Sequence, residues 1–454
     1  MAAVDAVSAI PDLTSSGLAL AAAITFCVAY ALVIAEEFTQ LRKSKAVVAA
    51  AGVIWVLVAI AWQAQGLQGA TELLRHNLLE YAELLLFLLA AMSYVNTLEE
   101  RCAFAALRSW LVARQFTMRT VFWITGTLAF FLSPILDNLT TALVMGAVVM
   151  AVGHGNTRFI APACINVVVA ANAGGAFSPF GDITTLMVWQ KGLVGFFEFL
   201  DLFVPSLVNW LIPAACMSFA IPRSLPQGPN ERVPLKRGAI IVMALFAVTI
   251  ALTVSMHQTL HLPPFLGMMT GLGALMLYSH LLRRRELREF GANLPPDAPQ
   301  PGMKRATRPF DIFISMKRVE WDTLMFFYGV VLCVGGLGAL GYLVVLSNAS
   351  YATLGPSVSN ILVGIASAIV DNIPIMFAVL SIEPAMSHGQ WLLVTLTAGV
   401  GGSLLSIGSA AGVALMGQAH GTYTFLAHLK WTWAIALGYA ASIWVHFELN
   451  ASLF

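Results

Sequence analysis

Ten stretches of this chain are apolar for long enough to cross a hydrocarbon core about 30 Å thick, which takes a helix of roughly 17 to 25 residues. They cover residues 17–35, 46–62, 81–97, 159–190, 199–221, 238–255, 265–282, 321–345, 391–417 and 431–447. Backbone polar groups in lipid must be satisfied within the segment, so these runs read as helices and the fold class as an all-α polytopic membrane protein. Composition agrees: 59% of the 454 residues are hydrophobic and 10% are charged, against about 25% charged in soluble domains. With 24 basic and 23 acidic residues, the net charge of +1 excludes steering toward nucleic acid. The first run follows a segment without basic residues and ends in Glu36-Glu37, so it reads as a span and not as a removed signal. The cysteines Cys27, Cys102, Cys164, Cys216 and Cys333 lack CxxC spacing and read as small hydrophobes.

Two further apolar stretches do not fit as simple spans. Residues 121–152 are too long for one crossing and too short for two, and their middle holds Ser133-Pro134 and Asp137-Asn138. Residues 358–381 carry Asp371-Asn372 and Pro374 in the same way. Two apolar arms meeting at a polar tip describe a re-entrant hairpin, whose irregular backbone is tolerated at membrane depth where it lines a protein cavity. The rival is a single kinked span, and the distribution of Lys and Arg decides between them. With both stretches as hairpins, the basic loops 42–45, 101–119, 223–237 and 283–318 share one face, which takes all of the 24 basic residues except Arg75 and Lys191. With residues 121–152 as a crossing, loops 101–119 and 223–237 land on opposite faces. Both termini are then expected outside the cytoplasm. Residues 283–320, which contain NLPPDAPQPG, read as a flexible cytoplasmic link.

The chain also repeats itself. Asp137-Asn138 is followed by ANAGGAFSPFGDITT, and Asp371-Asn372 by AGVGGSLLSIGSAA. Aligning Gly174-Gly175 on Gly401-Gly402 places Gly181 on Gly408 and Asp182 on Ser409. Each half, residues 1–222 and 223–454, then holds five spans and one hairpin, and the odd number of crossings inverts the second copy. Two inverted-topology repeats with discontinuous helices near the midplane are the architecture of many secondary transporters. The broken helices are expected at about 159–190 and 391–417, with the six glycines supplying the unwound backbone. A glycine pair alone marks a helix-packing face just as well; its duplication after each Asp-Asn pair favours a binding site.

Glu83, Asp137, Asp182 and Asp371 are acids near membrane depth, and no Lys or Arg lies well inside any apolar segment. A charge near the bilayer centre costs at least about 2.5–3.5 kcal/mol. A carboxylate there is expected to be protonated, to hold a cation, or to face trapped water. Proton and cation competing for one carboxylate make an exchanger, and Asp137, Asp182 and Asp371 are assigned that role. Small hard cations take oxygen ligands. Asn138, Thr140, Thr141, Asn172, Ser178, Thr184 and Thr185 supply them in the first copy, and Ser367, Asn372, Ser403, Ser406 and Ser409 in the second. The blander readings are helix hydrogen bonds for the hydroxyls and capped turns for the Asp-Asn pairs. Glu83 stands between a proton path and a structural hydrogen bond. The histidines read as interfacial, with His76, His154 and His420 as candidates for pH sensing. GxxxxGK[ST], HExxH and GxSxG are all absent, against ATP-driven transport and hydrolysis.

FLSPILDNLTTALVM, NAGGAFSPFGDITTLMVW, AIVDNIP and GGSLLSIGSAAGVA resemble the signature segments of NhaD-type sodium/proton antiporters. Their superfamily also holds divalent-anion/sodium symporters and arsenite and citrate permeases. ALVIAEEFTQLRKSK and ELLLFLLAAMSYVNTLEER extend the likeness over most of the chain outside residues 283–320. The resemblance implies exchange of Na+, with Li+ as a second cation, for H+, with no cofactor beyond the transported ions. It further implies a homodimer in the bacterial inner membrane whose transport domain moves as an elevator against a scaffold, serving pH homeostasis. The family's functional groups match Asp137, Asn138, Asn172, Asp182, Thr184, Thr185, Asp371, Asn372 and the Ser403, Ser406 and Ser409 cluster. The superfamily's anion carriers place Ser-Asn-Thr at their hairpin tips, whereas this chain has Asp-Asn, whose added negative charge argues against an anionic substrate. A Na+-coupled carrier for a carboxylate or arsenite is the alternative, and a membrane enzyme or scaffold would leave the duplicated pairs unexplained.

Overall fold

A computed structural model describes residues 11–39, 41–114, 116–153, 156–222, 224–225, 233–291, 310–419 and 421–454. Its main helices are α1 (Gly17–Ile34), α2 (Lys43–Ala64), α3 (Ala70–Glu100), α4 (Met118–Leu136), α5 (Asn138–Gly153), α6 (Thr157–Gly175), α7 (Ile183–Gln190), α8 (Phe203–Ser218), α9 (Ala239–Leu260), α10 (Pro264–Gly291), α11 (Trp321–Ala339), α12 (Thr353–Ala366), α13 (Asn372–Ile382), α14 (His388–Gly401), α15 (Ala410–Gln418), α16 (Phe425–Leu429) and α17 (Thr432–Leu449). Among the described residues there is no strand, and nine helices are long and apolar enough to cross a membrane.

Three boundaries differ from the hydropathy reading. α3 begins a full three turns before residue 81, because Ala70 to Glu80 is helix-compatible though polar. α10 continues to Gly291, and Ile312–Lys317 is again helical, so both ends of the expected link 283–320 are ordered helix; residues 292–309 lie outside the described residues. The run 321–345 is interrupted at Gly341, whose φ of 96° is open to glycine at little cost and turns the chain out of helix without any change in hydropathy.

The helices pack into two compact units, one comprising Ala82–Trp110 and Glu231–Glu320, the other the remainder of the chain. In the smaller, α9 lies along α10, and the Tyr94 hydroxyl donates to the Gly271 carbonyl at 2.7 Å between them. The buried Arg101 guanidinium meets Glu286 at 2.7 Å and stacks 4.2 Å from the Phe310 ring. Glu83 belongs to this unit.

In the larger unit α1, α2 and α11 share an apolar core, tied by Trp55 Nε1 donating to the Leu332 carbonyl at 2.8 Å and Trp62 Nε1 to the Ala339 carbonyl at 2.9 Å. α4 and α5 lie against each other and against α6. Residues 162–182 and 389–404 are buried without interruption. A helix apolar all round belongs inside a protein, and so does the irregular backbone that follows each of them, since lipid offers its N–H and C=O groups no partner.

Candidate cation site

The chain leaves helix at Gly175 and resumes it at Ile183, then does the same between Gly401 and Ala410. The two breaks share their geometry. A Cβ on Gly175 would sit 2.6 Å from the Gly181 carbonyl oxygen, and a Cβ on Gly402 2.6 Å from that of Gly408. One residue earlier, a Cβ on Gly174 would meet the Phe130 carbonyl at 2.2 Å and one on Gly401 the Gly364 carbonyl at 2.0 Å. Phe130 and Gly364 stand at the same spacing before Asp137 and Asp371. In the first copy Pro134 also removes the N–H that would occupy the Phe130 carbonyl, freeing it to face Gly174.

Four helix N-termini meet at these breaks. Asn138 opens α5, Asp182 caps α7, Asn372 opens α13 and Ser409 caps α15. Asp182 is the hub. Its Oδ2 accepts from Asn138 Nδ2 at 3.1 Å and from Asn372 Nδ2 at 3.0 Å, while Oδ1 accepts the Thr184 N–H at 3.3 Å. Asn172, on the last turn of α6, accepts from Asn138 at 3.1 Å and donates to Ser403 Oγ at 2.8 Å and Ser409 Oγ at 2.9 Å. One hydrogen-bonded network thus joins the segments of both Asp-Asn pairs and both breaks. Asp182 is 4% exposed, and its partners are amides, so its charge is offset by N–H donors and by the positive ends of α7 and its neighbours, each such terminus stabilising an anion by about 0.3–1 kcal/mol. That leaves a buried carboxylate still able to attract a small cation.

Oxygen atoms for that cation are present. The hydroxyls of Thr141, Thr184 and Ser406 are buried and have no hydrogen-bond partner among the described residues. A buried hydroxyl left unpaired costs about 1–3 kcal/mol, so three in the same segments are an unmet demand that oxygen-to-metal contacts would satisfy. Other expected ligands donate their O–H to the backbone, which leaves their oxygen lone pairs available to a cation. Ser178 donates to the Pro134 carbonyl at 2.9 Å, Thr185 lies 2.8 Å from the Ser178 carbonyl, and Ser367 donates to that of Gly364 at 2.8 Å. Ser133, which the sequence reading does not place among the ligands, donates to the Ala171 carbonyl at 2.6 Å and stands at the same spacing before Asp137 as Ser367 before Asp371.

The two Asp-Asn pairs, identical in sequence, differ in backbone. Asp137 has φ 72° and ψ 160°, and its carboxylate turns onto Thr140, accepting the backbone N–H at 2.7 Å and the hydroxyl at 2.9 Å. Asp371 has φ −45°, caps α13 through Ile373 N–H, and faces Lys43 Nζ at 3.4 Å. For Asp371 the expectation that no Lys or Arg lies beside the acids at membrane depth is therefore corrected: Lys43, the first residue of α2, reaches it from a loop that sequence spacing assigns to the basic face. Glu36 lies in electrostatic range of Lys43, Arg42 and Asp322; burial, partly offset by the Lys43 ammonium, lifts its carboxyl above the ordinary range.

The histidine reading is also revised. His76 is exposed beside Glu80, at 3.3 Å, and His154 and His420 lie outside the described residues. His428 and His446 are instead fully buried. His428 Nε2 donates to the Ser403 carbonyl at 2.9 Å, and its Nδ1 meets the Tyr423 hydroxyl at 2.8 Å, so this ring braces the second break. Lys191, one of two basic residues off the basic face, has its charge met by Glu80 and, at 3.7 Å, by Glu383. Among the described residues no three His, Cys, Asp or Glu side chains cluster as a transition-metal site requires.

A family model described as "Citrate transporter" matches residues 30–399. The Na(+)/H(+) antiporter NhaD of Alkalimonas amylolytica is 57% identical over 99% of this chain and 94% of its own length. That of Vibrio cholerae serotype O1 is 56% identical over 98% and 94%. Sodium/proton antiporter 1 of Arabidopsis thaliana is 31% identical over 96% of this chain and 74% of its own length.

Proposed function

Because the chain belongs to the family of NhaD-type sodium/proton antiporters, within the larger citrate-transporter family, we propose that it is a secondary transporter exchanging Na+ for H+, with Li+ as a second substrate. The observation that carries the reading is the buried Asp182 carboxylate, held by amides from both hairpin tips and surrounded by segments with unsatisfied hydroxyls. Na+ and H+ are both monovalent, so either neutralises this carboxylate and the two exclude each other. The Asn138 and Asn372 amides donate to Asp182 in the cation-free arrangement; rotated, each offers a carbonyl oxygen to the metal instead. Asp137 and Asp371 at the tips take part in the same exchange.

The scaffold for this reading is a pair of inverted repeats with re-entrant hairpins at residues 121–152 and 358–381. A homodimer in a bacterial inner membrane, with both termini outside the cytoplasm, would move its site as an elevator. A Na+-coupled carboxylate carrier is the second reading, favoured by the description of the matching family model. Helix N-termini can bind anions, but here carboxylates of the chain itself already cap α5, α7 and α13. The test is dye-monitored proton movement in everted vesicles. Wild type is expected to dequench on NaCl addition, while correctly inserted Asp137→Asn, Asp182→Asn and Asp371→Asn variants do not. Full dequenching in those variants refutes the assignment, and citrate uptake without NaCl-triggered proton movement would favour the carrier.

A further inference from the structure

We infer that Lys43 is a tethered counter-cation for the second hairpin tip, holding Asp371 until Na+ takes its place. The inference rests on the proposed reading of Asp371 as a cation-exchanging carboxylate. Lys43 opens α2, so the helix fixes its backbone, and its ammonium lies 3.4 Å from Asp371 Oδ2 and 4.4 Å from the centre of the Phe326 ring. The two side chains are 17% and 13% exposed. That degree of burial decides how the contact acts. An ion pair in water contributes almost nothing, whereas a largely desolvated one is held in place and leaves an expensive unpaired charge when one side is removed. The aromatic face adds a second attraction for the same ammonium.

Asp371 divides its oxygens: Oδ1 accepts Ile373 N–H at the start of α13, and Oδ2 takes Lys43. A metal ion approaching this carboxylate meets an equal charge already seated on it. Substitution of ammonium by Na+ keeps the charge at the tip constant and frees the lysine. The groups around the freed ammonium are acidic. Ser44, the next residue, hydrogen-bonds Asp322, and Glu36 is in electrostatic range of both Lys43 and Asp322, with Arg42 as the opposing charge. Lys43 is thus a positioning residue: it fastens α2 to the tip while Asp371 lacks a metal and releases it when Na+ arrives, so that the empty tip stays in place.

The test compares full-length wild type, Lys43→Met, Lys43→Arg and Phe326→Leu at one fixed pH, by radiolabelled Na+ binding to purified protein and by NaCl-driven proton movement in everted vesicles. Lys43→Met is expected to tighten the apparent affinity for Na+ by roughly tenfold or more, because it leaves the largely desolvated Asp371 carboxylate without a counter-cation. Lys43→Arg keeps the charge and is expected to retain wild-type affinity. Phe326→Leu weakens the hold on the ammonium and is expected to shift affinity the same way by about twofold. A lysine that only supports the fold would lower maximal rate and protein level with Na+ affinity unaltered; that outcome, or looser binding in Lys43→Met, overturns the latch. If Lys43→Met does not accumulate, Phe326→Leu decides, and unaltered affinity there overturns it. Exchange in wild type with unaltered affinity in Lys43→Met overturns the latch alone. Absence of NaCl-triggered proton movement in wild type overturns the exchange reading and the latch with it.

Discussion

Asp182 and Ser409 cap the half-helices α7 and α15 with nearly the same backbone, φ/ψ −147°/153° and −138°/147°, and each side chain accepts an N–H from the following turn. One brings a carboxylate to the shared network and the other a hydroxyl. Of these two similarly built caps only one carries a charge, and Ser409 shows that serine is an adequate cap in this backbone. Asp182→Ser is expected to abolish NaCl-triggered proton movement while the protein still inserts, because Ser and Asp are near-equal caps, within a few tenths of a kcal/mol. Membrane level by immunoblot and dequenching in everted vesicles check this together. Retained exchange would remove Asp182 from the reaction.

The glycine breaks permit a sharper comparison. An alanine at Gly175 or Gly402 would press its Cβ against a backbone carbonyl at 2.6 Å, with no flexible side chain to move aside. Overpacking of this kind costs about 1–3 kcal/mol. Gly52, inside α2, has open space around it, and alanine there should stabilise by roughly 0.5–1 kcal/mol through helix propensity. Thermal unfolding of detergent-purified protein is expected to rank Gly52→Ala above wild type and both Gly175→Ala and Gly402→Ala below it. Similar melting of all three variants would show that the close approach carries no weight.

Much of this site is legible in one dimension because it is duplicated. An Asp-Asn pair followed by a glycine pair occurs twice, aligning the glycine pairs brings Asp182 and Ser409 into register before any coordinates are known, and the same close glycine contacts then recur at both places. What sequence spacing cannot carry is contact between remote segments. Lys43 opens α2 in a stretch that reads from sequence as a basic loop, and its pairing with Asp371 exists only because α2 and the start of α13 are neighbours in space. His428 resembles the other histidines until its burial is seen. Identical Asp-Asn dipeptides also conceal opposite backbone choices, since φ is set by the helices on either side and not by the pair itself.

Asp137 shows what that hidden choice costs. Its φ of 72° with ψ of 160° lies in a region populated essentially by glycine, a strain of about 1–3 kcal/mol held by the surrounding structure. Asp137→Gly and Asp137→Asn both remove the charge, but glycine also relieves the strain at a loss of only a few tenths of a kcal/mol in capping. Both are expected to lose exchange, with Asp137→Gly melting higher than Asp137→Asn. The reverse order would mean that the carboxylate's bonds to Thr140, and not the backbone, govern stability here.

The bracing of the second break by His428 leads to a separation of stability from affinity. The Ser403 carbonyl can only accept, so Nε2 of His428 carries the proton, and Tyr423 occupies the other ring nitrogen. Ser403 in turn receives Asn172 through its hydroxyl, which places the imidazole one residue away from the network around Asp182 without touching Asp182 itself. Tyr423→Phe would leave Nδ1 of a buried ring unpaired, at about 1–3 kcal/mol. His428→Ala would strand the Ser403 carbonyl and open a cavity as well, so it is expected to melt lower than Tyr423→Phe. His428→Gln, whose amide N–H can still reach that carbonyl, is expected to recover part of the loss. If the ring acts by holding Ser403 in place, the apparent affinity for Na+ falls in the order wild type, His428→Gln, His428→Ala at any fixed pH. Equal affinities across the series, with stability alone changing, would confine His428 to the fold.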